Sequence, residues 1–195
     1  VKRAMAEIAQ KLGVTRKDSN LAVRKAYESQ RIFASRLKQA GKEALQVLAD
    51  NRRRGIILLA RAYTLYDSGI NMDIPRKLRD IYGINLIPMD FLDLDAIDIC
   101  GDHDNMFWDY GRRILQAARF AGENSHLHII YMTCFKCGPD SYIKHYMGAA
   151  SPEPFLVLQF DEHTNDAGAM TRCEAYLDSK GFLRWWARED KTKQA

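Results

Sequence analysis

Cys134 and Cys137 stand in a C-x-x-C, Cys134-Phe135-Lys136-Cys137, followed by Gly138-Pro139-Asp140-Ser141. An apolar run precedes the pair and a helical pattern follows Pro139, so the loop lies between a strand end and a helix start. A helix N-terminus favours negative charge, and thiolates are what a soft metal or an iron–sulfur cluster requires. The spacing is equally that of two small apolar residues under a turn, or of a thioredoxin-like redox pair. The redox reading is disfavoured because the helix starts after Pro139 and not directly from the first cysteine. Asp140 or Ser141 is placed to cap that helix. A complete four-cysteine site does not follow from this chain. Cys100 lies in an acidic loop, and Cys173 falls inside a helical pattern, where burial is expected.

Two other loops carry reactive types. Asp161-Glu162-His163-Thr164-Asn165-Asp166-Ala167-Gly168 packs three acids and a histidine between a strand and a helix. Such groups serve acid–base work, or cap the helix through Thr164, Asn165 or Asp166. Tyr63, Tyr66, Asp67 and Ser68 decorate the first loop, where hydroxyls can hold a polar ligand or close a packed lid. Trp185-Trp186 is placed to seal the core or a domain contact.

The elements that must position these loops follow from periodicity. Residues 2–12 read as a short helix with Met5, Ile8 and Leu12 on one face, ended by Gly13. Asp18, Ser19 or Asn20 can cap a long helix running to about Asp50. In it Ala26, Phe33, Ala40 and Val47 recur every seven residues, with Leu37 and Ala44 in the same stripe, as in a helix packed along a domain or joined to a neighbour. Gly41 weakens that stripe as a coiled-coil seam. Short apolar runs at Ile56–Leu59, Ile84–Ile87, Leu127–Tyr131 and Phe155–Phe160 predict four strands. Helical patterns at 74–82, 107–121, from the Cys loop to about Met147, and 166–178 follow them in turn. Residues 90–105 read mostly as loop. Alternation of strand and helix predicts an α/β fold, a Rossmann-like parallel sheet of about four strands flanked by helices, with a long N-terminal helix. In such sheets ligands bind at the carboxyl ends of the strands. No G-x-G-x-x-G fingerprint is present, which counts against a simple dinucleotide-binding domain.

At 195 residues the chain can form one domain, 1–195, with a helical lead-in at 1–50 and an α/β core at 55–181. Net charge is +4. Arg52-Arg53-Arg54 is the one compact basic run and suits a solvated helix C-terminus, so nucleic-acid binding is not expected. No apolar run reaches the ~18 residues of a membrane span, and no signal peptide is visible. With four cysteines and no secretory signal, a cytoplasmic chain with reduced or metal-bound thiols is expected. The start at Val1 suggests a piece of a longer protein.

Several segments recur in order: Pro75-Arg76-Lys77-Leu78-Arg79, Ile87-Pro88-Met89-Asp90-Phe91-Leu92, Asn105-Met106-Phe107-Trp108-Asp109-Tyr110-Gly111, Cys137-Gly138-Pro139-Asp140-Ser141 and Asp161-Glu162-His163-Thr164, with Asp166-Ala167-Gly168 and Thr171-Arg172. Together, over roughly residues 20–180, they resemble the domain related to 2-hydroxyacyl-CoA dehydratase components, of the kind fused to acyl-CoA dehydratase activase modules in very large proteins. The resemblance implies an oxygen-sensitive, anaerobic system. There an ATP-hydrolysing activase passes one electron to a partner carrying a [4Fe–4S] cluster, which reduces an acyl-CoA to a ketyl radical and expels water. Cysteines from different lobes hold the clusters. The resemblance implies that Cys137 is a cluster ligand, with Cys134 as a second candidate for cofactor or metal binding. Glu162 and His163 are the candidates for polar catalytic roles. The pattern expected at the Cys loop is like Asn-Phe-Gly-Cys-Gly-Pro-Asp-Ser, so here Cys134 replaces an Asn and Lys136 a Gly. The first loop reads Ala60-Arg61-Ala62-Tyr63-Thr64 where a Gly-Arg-Pro-Tyr-Asn-like pattern is expected. No activase signature is present. The implied partners are an activase module and companion lobes, and the implied role is one lobe of a larger reductase, inactive alone. The alternative is a non-catalytic docking or regulatory domain that contacts the activase.

Overall fold

A computed structural model describes residues 1–99, 105–162 and 165–183. Cys100, His163, Thr164, Trp185 and Trp186 lie outside the described residues. Seven helices and four strands follow the expected alternation: α1 Lys2–Lys11, α2 Arg16–Asp50, β1 Gly55–Leu59, α3 Ala62–Tyr66, α4 Ile74–Tyr82, β2 Leu86–Pro88, α5 Asp109–Gly122, β3 Leu127–Cys134, α6 Gly138–Ala150, β4 Leu156–Phe160 and α7 Ala167–Ser179. No helix among these residues is long and apolar enough to cross a membrane.

The sheet is wholly parallel, in the order β2-β1-β3-β4. β1 is buried along its whole length, as its unbroken apolar run requires of a strand covered on both faces. Ile57, Leu59, Ile129 and Tyr131 face α5, α6 and the end of α2, where Ile114, Leu115, Ile143 and Met147 meet them. Ile56, Leu58, Ile130 and Met132 point the other way, onto Ile74 and Leu78 of α4 and Cys173 and Leu177 of α7. The period of two along each strand thus builds two cores at once.

The crossover from β1 to β2 carries α4 over one face, and the crossovers from β2 to β3 and from β3 to β4 carry α5 and α6 over the other. The chain therefore changes direction between β1 and β3. That is the topological switch point, where the loops leaving two adjacent strands part to opposite faces and open a crevice.

Local differences from the sequence expectations have simple causes. The cap of α2 is Thr15, whose side chain accepts from the Asp18 backbone N–H at 3.2 Å, so Asp18, Ser19 and Asn20 fall inside the helix. The seven-residue stripe on α2 packs only in part, at Ala44, because Phe33 and Val47 are both 57% exposed. The face that packs holds Gly41, Ala44, Leu45 and Leu48, with Gly41 set against the backbone of a 3₁₀ turn, Met89–Phe91. β2 begins at Leu86, later than the apolar run that starts at Ile84. The first loop contains the short helix α3, held by buried Asn71, whose side-chain amide donates to the carbonyls of Thr64 and Leu65 at 3.0 Å each.

Candidate functional site

β3 continues three residues past its last pairing with β1, through Met132, Thr133 and Cys134, where it still pairs with β4. This overhang carries the Cys loop beyond the end of β1. Lys136 then adopts a left-handed conformation, φ +57°, and Cys137 becomes the N-cap of α6, with Pro139 in the first turn. Left-handed backbone is favourable for glycine and costly for most residues. The glycine expected at position 136 therefore has a local backbone reason, and Lys136 accepts the strain.

On the facing side, the chain leaves β1 through Ala60 and turns into α3 with Arg61 as its N-cap. One terminal nitrogen of Arg61 donates to Cys137 Sγ at 2.8 Å and to Asp140 Oδ2 at 3.0 Å. Thr133 Oγ1 donates to the same carboxylate oxygen at 2.7 Å. The Asp140 side chain is only 3% exposed and that of Arg61 19%. Asp140 was expected as a helix cap; its carboxylate is turned instead toward Arg61 and Thr133, because a buried acid must find a cation and donors. Burial works against the charge on Arg61, but Asp140, Tyr63 and Cys137 more than offset this and hold the guanidinium above its ordinary pKa. Its guanidinium also lies over the Tyr63 ring, 4.6 Å from the centroid. Burial, with the charges of Asp140 and Cys137 nearby, pushes the Tyr131 phenol upward. Arg61 Nε and Asp140 Oδ1 are buried without a hydrogen-bond partner among the described residues.

Cys134 faces the same segment, its Sγ 3.6 Å from Thr64 Oγ1. Both thiols of the C-x-x-C are free and both touch residues 61–64 across the switch point. Cys173 is free too, but it is fully buried in α7 beneath the opposite core, where burial pushes its thiol up to about 12. Glu162 lies exposed just past β4, one strand away from Cys137. In the first loop, Asp67 Oδ1 accepts from the backbone N–H groups of Gly69 and Ile70, which fixes the turn. Tyr66 donates to Asp90 at 3.1 Å, and Asp90 also pairs with Arg113 at 2.8 Å. Before α7, Asn165 accepts from the Ala167 N–H while Asp166 pairs with Lys77.

The residues that sequence reasoning missed are Arg61, Thr64 and Thr133. Arg61 was visible as the position shared with the Gly-Arg-Pro-Tyr-Asn-like pattern. Thr133 carried no signal, since its role depends on the β3 overhang. Among the described residues no group of three His, Cys, Asp or Glu side chains is gathered to hold a metal. Among the described residues the crevice offers two thiols, which fits a contribution to a cluster and not a whole set of ligands.

Fold and site together define a parallel α/β domain with a thiol pair and a buried Arg–Asp pair at its switch point. Residues 1–92 match the family described as the CoA enzyme activase uncharacterised domain, which links the chain to CoA enzyme activase-related proteins. The matched stretch holds Arg61 and Thr64 and ends before the Cys loop. No curated protein and no solved structure match.

Proposed function

We propose that this chain is a lobe of a larger, ATP-driven iron–sulfur reductase or dehydratase related to the 2-hydroxyacyl-CoA dehydratase components, in which Cys137 supplies one thiolate to a [4Fe–4S]-type cluster. The observation that carries this reading is the Arg61–Cys137 hydrogen bond at the switch point. It presents a sulfur at a helix N-terminus with a donor already aimed at it, and hydrogen bonds to ligand sulfurs are one means by which proteins set cluster potentials. When bound, such a cluster passes single electrons. This chain's own part is to hold the sulfur: Asp140 and Thr133 fix the guanidinium, and the guanidinium fixes Cys137. Cys134 is the second candidate ligand, and Glu162 and His163, which follow β4 in the sequence, are the candidates for polar roles near substrate or cluster. The remaining ligands come from companion lobes, an activase module is the electron donor, and an acyl-CoA is the substrate class.

The test is anaerobic reconstitution of the parent protein with iron and sulfide, read by EPR. Cys137→Ala is expected to abolish the cluster signal, and assembly that is unchanged after Cys137→Ala would falsify the assignment. A second reading, a docking or regulatory domain contacting the activase, is favoured by the position of the family match, since residues 1–92 exclude both thiols of the loop. In that case an anaerobic pull-down between the domain and the activase module succeeds equally with Cys134 and Cys137 both replaced by alanine.

A further inference from the structure

The α1–α2 hairpin stands away from both cores. Its buried residues, Ala9, Ser19 and Val23, line the groove between the two helices and belong to neither core cluster. Residues 24–36 of α2 are exposed throughout. At 1.5 Å per residue, Val23 lies about 27 Å along the helix from Gly41, where α2 docks on the domain. Gly13, at φ +72°, folds α1 back on α2, and the Val14 N–H donates to the Ala9 carbonyl at 2.9 Å.

The two helices enclose an apolar groove of about 540 Å³, lined chiefly by Met5, Ile8, Leu12, Ala22, Ala26 and Tyr27, with one acid, Asp18, whose carboxylate accepts from the Thr15 hydroxyl. Ile8 is 51% and Leu12 74% exposed. Phe33, one heptad beyond Ala26 and 57% exposed, prolongs the stripe past the end of α1. The surroundings are basic. Residues 1–36 hold nine Lys and Arg against three Asp and Glu, although the rest of the chain carries two more acids than bases. Helical spacing sets Lys25 and Arg36, three turns apart, along one edge of the α2 stripe, and Lys11 on the outer edge of α1. None of these three has an ion-pair partner among the described residues.

We infer that this groove is a docking site for an acidic amphipathic helix of a partner, laid between α1 and α2 as the third helix of a small bundle. An apolar groove takes the i, i+3, i+4, i+7 face of a helix, and the unpaired cations at its edges select Glu or Asp on the flanks of that face. A second copy of the chain fits poorly, because two such hairpins repel. A bilayer fits poorly too, because the apolar side chains line a concave channel and not a convex stripe. The site is separate from the chemistry at Cys137.

The probe is a labelled 21-residue peptide of three heptads, with Leu at both seam positions of each heptad and Glu at the flanking ones. A control peptide carries Lys for Glu. Binding to the whole chain is read by fluorescence anisotropy. The Glu peptide is expected to bind at least tenfold more tightly than the Lys peptide and to weaken about tenfold between 50 and 500 mM salt. Lys25→Glu with Arg36→Glu, and separately Ile8→Gln with Leu12→Gln, should each weaken it about tenfold. Because all four side chains are exposed, the thermal melt of either double variant should match that of the parent chain. Equal binding of the two peptides, or unchanged binding by the charge-reversed chain, would overturn the inference. So would uptake by phosphatidylcholine–phosphatidylglycerol vesicles without peptide binding, or a dimer in sedimentation that the Ile8→Gln/Leu12→Gln chain loses.

Discussion

Replacing Arg61 by methionine keeps much of the side-chain length and removes the charge. Asp140, 3% exposed, then retains only the Thr133 hydroxyl as a donor. At the 3.0 Å separation of the pair, the Coulomb energy is about 5 kcal/mol with an effective dielectric near 20. Breaking a buried pair from one side costs about 3–5 kcal/mol, since an uncompensated charge stays behind. Set against a total stability of roughly 5–15 kcal/mol, that loss is large. Asp140→Asn removes the charge itself and should cost less, about 1–3 kcal/mol. The assay is urea unfolding followed by far-UV circular dichroism at pH 7, for both single variants and the double. The double variant should lose about 2 kcal/mol less than the two single losses combined, because the second replacement cures the orphan left by the first. Cys137→Ala removes the guanidinium's other acceptor and should leave that coupling intact. Additivity within about 0.5 kcal/mol would refute the view that Arg61 and Asp140 form one buried unit.

Three further outcomes follow from the geometry. Gly41→Ala, which in an open helix gains about 1 kcal/mol, should instead cost about 1–3 kcal/mol in thermal unfolding. The reason is that the new Cβ would sit 1.9 Å from the Phe91 carbonyl oxygen, an atom of backbone that cannot swing aside. Lys136→Gly should raise the stability measured by urea unfolding, by up to about 1 kcal/mol, by relieving the left-handed strain at φ +57°. His128 is held near 4 by burial and by the nearby Lys180 and Arg54. Its unfolded form binds a proton below about 6.5, so the stability it contributes while neutral is complete above that pH and is lost as pH falls toward 4. His128→Leu should flatten that part of the stability–pH curve relative to the parent chain, and parallel curves would show the assignment to be wrong.

The four strands were legible because each is a short, mainly apolar run, unbroken in β1 and interrupted by one polar residue in the others (Asn85, His128, Gln159), as strands of a buried parallel sheet are. Strand ends were less so. β3 extends to Cys134 because β4 pairs with it past the end of β1, a fact of register that no local pattern carries. The packed face of α2 was misjudged for a related reason. A seven-residue recurrence draws attention to Phe33 and Val47, whereas contact is decided at Gly41, where the absence of a side chain lets a backbone approach. At the site, the thiols were conspicuous by type and the Gly-Pro turn by composition. The Arg61–Asp140 pair joins residues 79 positions apart, and its existence depends on β1 and β3 being neighbours. Asp140 read as a helix cap because a cap is what a lone local sequence suggests.

The placement of β1 has a consequence for how the chain is made. It is an inner strand, and the neighbour on its far side is β3, so Gly55 waits for Leu127. At about 5–20 residues per second, the 72 positions that separate them take several seconds to emerge from a ribosome. Once β2 has emerged and until β3 follows, Ile56, Ile57, Leu58 and Leu59 have a neighbour on one edge only, and the other edge is a template for pairing with other chains. Residues 1–92, the stretch that the family model matches, would keep that raw edge permanently. Expressing the matched stretch alone should therefore yield aggregate where the whole chain yields soluble protein.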